Sequence, residues 1–249
     1  MLAIGALAYA TGPEFVKYMP EFHKYLETGL QISVHIKYAV FLWVCLRTSV
    51  MPWMTRYSLT VICIMSTLLK FLSSPELDRS VKPPILSCIG DIALTIGEHF
   101  EKYVPYTLPM LQGAAELCSL MELPDDDSTE YKNELRRSIF EAYSGILQGV
   151  RSSKSELMVP YAGHIFQFAE LVLRETSRDE GLTKAGVALV GDLMDALGPS
   201  IKLLLKNSNF HPELLGCCSQ SDDEQLRETA SWVQGVISRV LVYDGKLLQ

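Results

Sequence analysis

The sequence predicts an all-α protein, built as an open, right-handed solenoid of antiparallel helix pairs. Three observations predict this class. Apolar residues recur every three or four positions along most of the chain, no series of period-two strands with hairpin turns is found, and one two-helix pattern recurs several times. With 249 residues, 48% of them hydrophobic, the chain can bury a sizeable core. We therefore expect one continuous array.

The recurring pattern has a glycine inside the first helix and a short turn before the second. It occurs in "AIGALAYATGPEFVKYMPEFHKYLETGL", in "CIGDIALTIGEHFEKYVPYTLPMLQGA", in "AYSGILQGV" followed by "LMVPYAGHIFQFAEL", and in "LVGDLMDALGPSIKLLL". A glycine inside a helix costs about 1 kcal/mol relative to alanine. Its reuse at Gly5, Gly90, Gly145 and Gly191 therefore predicts close approach between neighbouring helices.

The spacing of these glycines sets the units. Gly145 lies 55 residues after Gly90 and 46 residues before Gly191, near the period of HEAT-like arrays, with "LPDDDSTEYKN" as an extra loop. Gly5 and Gly90 are 85 residues apart, about two periods, so a further unit is expected between them. The predicted units are 1–30, 31–75, 80–120, 129–176 and 180–207, followed by terminal capping helices at 210–243.

Within the third unit, the first helix carries one apolar stripe that ends at Gly97, a residue suited to a helix C-cap. The stripe consists of Ile85, Ile89, Ile92 and Ile96. Pro105 and Pro109 should bend or break the first turns of the next helix. The run Asp125–Asp127 lacks the ligand spacing of an EF-hand, so we expect a solvated loop there.

Composition excludes several classes of function. The net charge of −7 disfavours nucleic acid or an anionic membrane as the main partner and favours a basic one. The most apolar segment, 38–72, is interrupted by Arg47, Pro52, Arg56 and Lys70, so no membrane insertion is predicted. The six cysteines form no CxxC pair, which favours buried reduced thiols over a metal site or disulfides.

No catalytic constellation is found. The five histidines show no HExxH spacing, and the chain has no GxSxG, no GxxxxGK[ST] and no GxGxxG after a strand. We therefore predict that the protein is not an enzyme and has no catalytic residues, metal or cofactor.

Long blocks of the chain resemble one known family. The blocks "MLAIGALAYATGPEFVKYMPEFHKYLETGL", "RSVKPPILSCIGDIALTIGEHFEKY", "NELRRSIFEAYSGILQG" and "LVGDLMDALG" are similar to the C-terminal HEAT repeats of importin subunit beta, especially its plant form. The resemblance covers residues 1–30 and about 65–240. It implies a region of a nuclear import receptor, found in the cytoplasm, the nucleus and the nuclear envelope at the pore.

The resemblance also implies partners. The second helices of a HEAT array line a concave face, where acidic residues hold a basic ligand. In this family that ligand is the basic N-terminal segment of importin alpha, or basic cargo. Phe-Gly repeats of nucleoporins are further partners, for grooves that would include Ile85, Ile89, Ile139 and Tyr143 unless these residues pack in the core. Ran binding should be incomplete, because it depends largely on N-terminal repeats that this chain lacks.

The candidate partner-binding residues lie mainly near the end of the chain. Trp232 matches a tryptophan in the last helix of the family, and it either touches the ligand or caps the core of the terminal repeat. The acids Asp222, Asp223, Glu224 and Glu228 either pair with the ligand or, for Asp222 to Glu224, favour the start of a helix. Further acidic candidates are Glu170, Glu175 and Asp195.

The resemblance breaks between residues 31 and 64. The run Met51–Thr55 must be encoded ATG-CCN-TGG-ATG-ACN, and one base earlier this reads Ala, then Leu, Met or Val, then Asp-Asp. That frame permits "DICHALDDKILPYCD", which matches "GDLMDALGPSIKLLL" and restores the unit that the period demands. We interpret residues 36–63 as a shifted reading frame; the alternative is a divergent helix pair with an aromatic core.

Two other expectations concern the whole chain. Met1 lies within a first helix, so we expect further repeats on its N-terminal side in the complete receptor. The alternative function is a helical-repeat scaffold subunit with another protein partner, because the same fold serves many assemblies.

Overall fold

The computed structural model describes residues 58–75, 77–121, 126–151, 154–206 and 210–242, together with positions 11, 14, 17, 18 and 21. All regular secondary structure in these ranges is helical, and no strand occurs in them. The predicted all-α solenoid is confirmed. Residues 36–57 of the proposed frame-shifted segment lie outside the described ranges, so that interpretation stays a hypothesis.

The described helices follow one another with short connections. They are α1 Ser58–Leu72, α2 Lys82–Ile96, α3 Val104–Ser119, α4 Asp126–Val150, α5 Val159–Arg174, α6 Glu180–Leu197, α7 Lys202–Lys206, α8 Phe210–Cys218 and α9 Glu224–Val242. Short 3₁₀ segments precede four of them, at Arg79–Val81, Gly97–Tyr103, Ser155–Met158 and Gly198–Ile201. Among the described helices, none is both long and apolar enough to cross a bilayer.

The helices pack in two rows. The first helices α2, α4, α6 and α9 pack side by side in that order, and α1 packs on α2. The second helices α3 and α5 contact each other and also the first helix of the next unit, α4 and α6 respectively. One continuous cluster of buried apolar residues runs from Val61 to Val240. Each unit therefore completes its core with its neighbours, as in other solenoids.

Glycines bring α2 and α4 into backbone contact. A Cβ built on Gly145 would lie 2.3 Å from the carbonyl oxygen of Gly90, and one on Gly149 would lie 2.3 Å from the carbonyl oxygen of Ala93. These distances are far below van der Waals contact, so any side chain at either position would push the helices apart. The close approach predicted from glycine reuse is confirmed for this pair of units.

The apolar stripe of α2 is buried as predicted. Its four isoleucines are each no more than 6% exposed: Ile85, Ile89, Ile92 and Ile96. The helix ends at Gly97, which has a φ of 60° and whose N–H bonds back to the carbonyl of Ala93. Gly198 ends α6 in the same way, with a φ of 48°. Both glycines adopt the left-handed backbone that allows a sharp turn into the second helix.

Two local expectations need revision. Pro105 lies in the first turn of α3, where its missing N–H costs nothing, but the helix also continues through Pro109 without a break. Asp126 and Asp127 do not lie in a loop, because they form the exposed first turn of α4. Acids are favoured there since the helix dipole places partial positive charge at its N-terminus.

Candidate peptide-binding surface

An open surface depression lies on α9, next to the predicted partner-binding residues Glu228 and Trp232. Glu228, Trp232, Gly235 and Arg239 follow one another at intervals of four, three and four residues, so they share one face of the helix. With Arg227 and Ser231 they line an open groove. The adjoining face of α9 is apolar and buried, with Val233, Val236 and Val240 in the core. The amphipathic pattern of α9 thus positions the groove.

Trp232 is 40% exposed. Its ring also packs against α6, since a Cβ built on Gly191 would lie 2.2 Å from Cζ3 of Trp232 and 2.7 Å from Cη2. One edge of the indole therefore rests on the backbone of α6 while another part faces solvent. Trp232 therefore covers part of the core of the last described repeat and leaves an aromatic surface exposed, while its contact with a ligand stays a prediction.

The three acids at the start of α9 differ in their contacts and exposure. Asp223 accepts a hydrogen bond at 2.8 Å from the backbone N–H of Gln225, next to the start of the helix, and so acts as a local cap. Asp222 and Glu224 are exposed. Arg227 holds the turn, because its Nη1 donates to the carbonyl oxygens of Ser221 at 2.7 Å and of Asp222 at 2.9 Å.

Asp195 lies on α6 with a side chain that is 16% exposed. Its Oδ2 is 2.6 Å from Nη2 of Arg151, just after α4, and its Oδ1 is 3.7 Å from Nη2 of Arg239 on α9. One carboxylate therefore connects three successive first helices. Asp195 also borders an apolar cavity between α6 and α9.

Glu175 is bound within the protein. Its two oxygens accept bidentate hydrogen bonds of 2.6 and 2.7 Å from Arg136 on α4, whose side chain is fully buried. The bonds from this guanidinium hold the pKa of the Glu175 carboxyl below its usual value. Lys132, also buried, donates to the carbonyl of Met121 at 3.1 Å. Glu175 thus fixes the end of α5 to α4.

Glu170 lies on α5, away from the groove on α9. Its Oε1 accepts a hydrogen bond at 2.9 Å from Arg174, which also lies 4.0 Å from Glu213 on α8. Neither Glu170 nor Glu175 lines the groove with Trp232, whereas Glu228 does and Asp195 is joined to it through Arg239. The partner-binding roles of all these residues stay predictions.

Sequence reasoning missed four residues of the groove. Gly235 and Arg239 could have been found, because they continue the spacing that begins at Glu228 and Trp232. Arg227 and Ser231 flank that stripe on the next positions of the helix. The missed residues matter because two of them are cationic, so the groove is less acidic than the predicted residues alone suggest.

Other predicted features can be placed as well. In the described ranges no group of three or more His, Cys, Asp or Glu side chains could hold a metal ion. Cys88, Cys118 and Cys218 are buried free thiols, and burial raises the pKa of Cys118. Cys217 is also a free thiol but is exposed, so the expectation of a buried thiol is wrong for this residue. The four apolar residues considered for Phe-Gly grooves are all buried to 1% exposure or less, as expected for core packing: Ile85, Ile89, Ile139 and Tyr143.

Several solved structures of importin beta or Kap95 are similar to this chain. A crystal structure of importin beta in a polyethylene glycol condition matches with a TM-score of 0.83 at 29% identity, over 96% of this chain and 29% of that one. The structure of a Kap95:Nup1 complex matches with a TM-score of 0.84 at 27% identity, over 96% and 28%. A structure in which Kap95p binds RanGDP matches with a TM-score of 0.83 at 27% identity, over 96% and 28%.

Sequence comparison agrees with the structural matches. Importin subunit beta-1 of Arabidopsis thaliana is 46% identical over 249 residues, which cover 97% of this chain and 28% of that protein. The chain spans less than a third of the length of these relatives. A family model described as importin subunit beta-1-like, TPR repeats, matches residues 1–213. Because that model covers most of the chain, the chain belongs to the importin subunit beta-1-like family.

Proposed function

We propose that this chain is the C-terminal region of a nuclear import receptor and that it binds a basic peptide segment through the surface around α9. The ligand would be the basic N-terminal segment of importin alpha or a basic segment of cargo. Because α9 lies in the row of first helices with α2, α4 and α6, this surface is not the concave face of second helices that the resemblance implies. Family membership supports the transport role. The net charge of −7 supports a cationic ligand.

One observation carries the proposal for α9. Trp232 presents an indole that is 40% exposed beside Glu228, and the exposed acids Asp222 and Glu224 lie at the start of the same helix. An exposed indole next to carboxylates suits the guanidinium or ammonium group of a basic peptide, through cation–π and ionic contacts. Arg227 repels a basic peptide less than its charge implies, because its guanidinium is bonded to two carbonyl oxygens.

A binding titration tests the proposal. A fluorescent peptide of importin alpha's basic N-terminal segment should bind the chain, with affinity that falls as salt rises from about 50 to about 300 mM. Trp232→Ala should weaken binding about tenfold or more, as truncation of a central aromatic contact does. Leu94→Ala is a matched control, because Leu94 is 41% exposed and lies on α2. Binding that is absent, or indifferent to Trp232, would favour a scaffold with another partner.

We also propose nucleoporins and Ran as partners of the complete receptor. The similar structures of Kap95 with Nup1 and with RanGDP support this. This chain spans less than a third of those proteins, and we expect its own Ran binding to be incomplete. A receptor that engages all three partners would act in the cytoplasm, the nucleus and the nuclear pore. Pull-down with GTP-loaded Ran and with a Phe-Gly peptide, each against the full receptor, measures what this region contributes.

A further inference from the structure

Arg239 separates two depressions on the surface of α9. On one side is the groove that contains Glu228 and Trp232. On the other is the cavity between α6 and α9, lined by Met194, Asp195, Gly198, Pro199, Val236 and Val240. Arg239 lines both. Arg239 therefore lies where the two depressions meet.

Arg239 is held weakly. Its side chain is 68% exposed, and its contact with Asp195 is 3.7 Å long. On the other oxygen of the same carboxylate, Arg151 makes a contact of 2.6 Å. Exposed ion pairs contribute little to stability, because water screens the two charges. Arg239 can therefore leave Asp195 at little cost, while Arg151 keeps the carboxylate in place.

The cavity beside Asp195 suits a basic side chain. Met194, Pro199, Val236 and Val240 offer apolar contacts, and Asp195 supplies a carboxylate that is only 16% exposed. Long basic side chains bury an aliphatic stem against apolar surface while the charged end meets an acid. An acidic ligand would instead face Asp195 directly. Once Arg239 leaves, one oxygen of Asp195 is open to an arginine or lysine, while Arg151 stays on the other oxygen.

We propose that Arg239 is an internal substitute for the ligand. In the free protein it lies against Asp195, and a basic side chain of the bound peptide displaces it and takes that place. The displaced arginine opens a continuous channel from Glu228 and Trp232 to Asp195. This inference rests on the proposed binding of a basic peptide and adds the residue that competes with it.

The test uses the whole chain and the importin alpha peptide of the titration above. Arg239→Gln should bind the peptide about two- to fivefold more tightly, because the competing cation is gone. This range is the one expected when one exposed ion pair no longer has to be broken. Removal of any positive charge also makes the electrostatic potential of the whole protein more negative, which strengthens the binding of a basic peptide. The same substitution is therefore made in an Asp195→Asn background. If Arg239 acts through Asp195, the gain disappears there.

Each outcome bears on the inference. A gain that persists in the Asp195→Asn background, an unchanged affinity, or a loss with Arg239→Gln overturns it, even if the wild-type chain binds the peptide. If neither the wild-type chain nor Arg239→Gln binds, the proposed function fails as well. Circular dichroism melts of all four proteins show whether each is folded. Arg239 is exposed and Asp195→Asn keeps the size of a largely buried side chain, so the helical signal should be unchanged.

Discussion

Arg136 is a fully buried cation, and its position explains how α4 holds the end of α5. A buried guanidinium is tolerated only when its charge is paired and its N–H groups are bonded. Glu175 pairs the charge and accepts short bonds from Nη1 and Nη2, whereas the buried Nε of Arg136 has no hydrogen-bond partner in the structure. Next to it, Arg137 bonds to Asp179, whose side chain caps α6 through the N–H of Leu182. Two adjacent arginines therefore fix the turn between α5 and α6.

Loss of Glu175 should destabilise the protein strongly. Glu175→Ala leaves Arg136 buried without its counter-ion, and removal of one partner from such a pair costs about 3 kcal/mol. Glu170→Ala is the matched control, because it removes an exposed pair four residues apart on α5, worth less than about 0.5 kcal/mol. Urea unfolding followed by circular dichroism measures both. Equal effects of the two substitutions would show that burial of Arg136 does not matter.

The same pair predicts a dependence on pH. The folded-state pKa of Glu175 is lowered, chiefly by its bonds to Arg136, from an ordinary value of 4.5. Its contribution to stability should thus be constant above about pH 4.5 and disappear as the pH falls through the lower folded pKa. The measurement is the difference in unfolding free energy between wild type and Glu175→Gln from pH 7 to pH 3. A difference that grows towards acid contradicts the assignment.

At the scale of elements, the sequence predicts what depends on local spacing. The period of three or four identifies the buried stripe of α2, and the reuse of glycine identifies where α2 and α4 touch. The pairing of Arg136 with Glu175 spans 39 residues and leaves no periodic signal, so it could not be read from the sequence. The sequence predicts only part of the groove on α9, since it indicates Trp232 and Glu228 but not Arg239.

Alanine should change the melting temperature in opposite directions at two helical glycines, one at the contact between α2 and α4 and one away from it. Gly145→Ala should lower the melting temperature by about 5–10 °C, because its Cβ would lie 2.3 Å from the carbonyl oxygen of Gly90. Gly113→Ala in α3 should raise it by about 2–4 °C, because nothing lies within 4 Å of that Cβ and alanine favours the helix. Thermal melts compare the two. A stabilising Gly145→Ala would show that the helices can separate without cost.

At the scale of the whole molecule, stability is a sum over neighbouring units, because each first helix packs mainly on the next. A change at one end should therefore stay local. The packing of α1 on α2 and the buried residues Val61, Ile64 and Met65 show that the core extends to α1. Among the described residues, the helices from α2 to α9 bury their apolar faces against one another.

Two truncations test this additivity. A chain that begins at Ser58 should keep the helical signal of α2 to α9 and a melting temperature within a few degrees of the whole chain, because α1 still covers α2. A chain that ends before Glu224 should melt at least several degrees lower and aggregate, because α6 loses the cover of Val233, Val236 and Ile237. Light scattering during the melt detects the aggregation. If the first truncation unfolds the array while the second does not, stability is not a sum of neighbour contacts, and residues before α1 determine the fold of the rest.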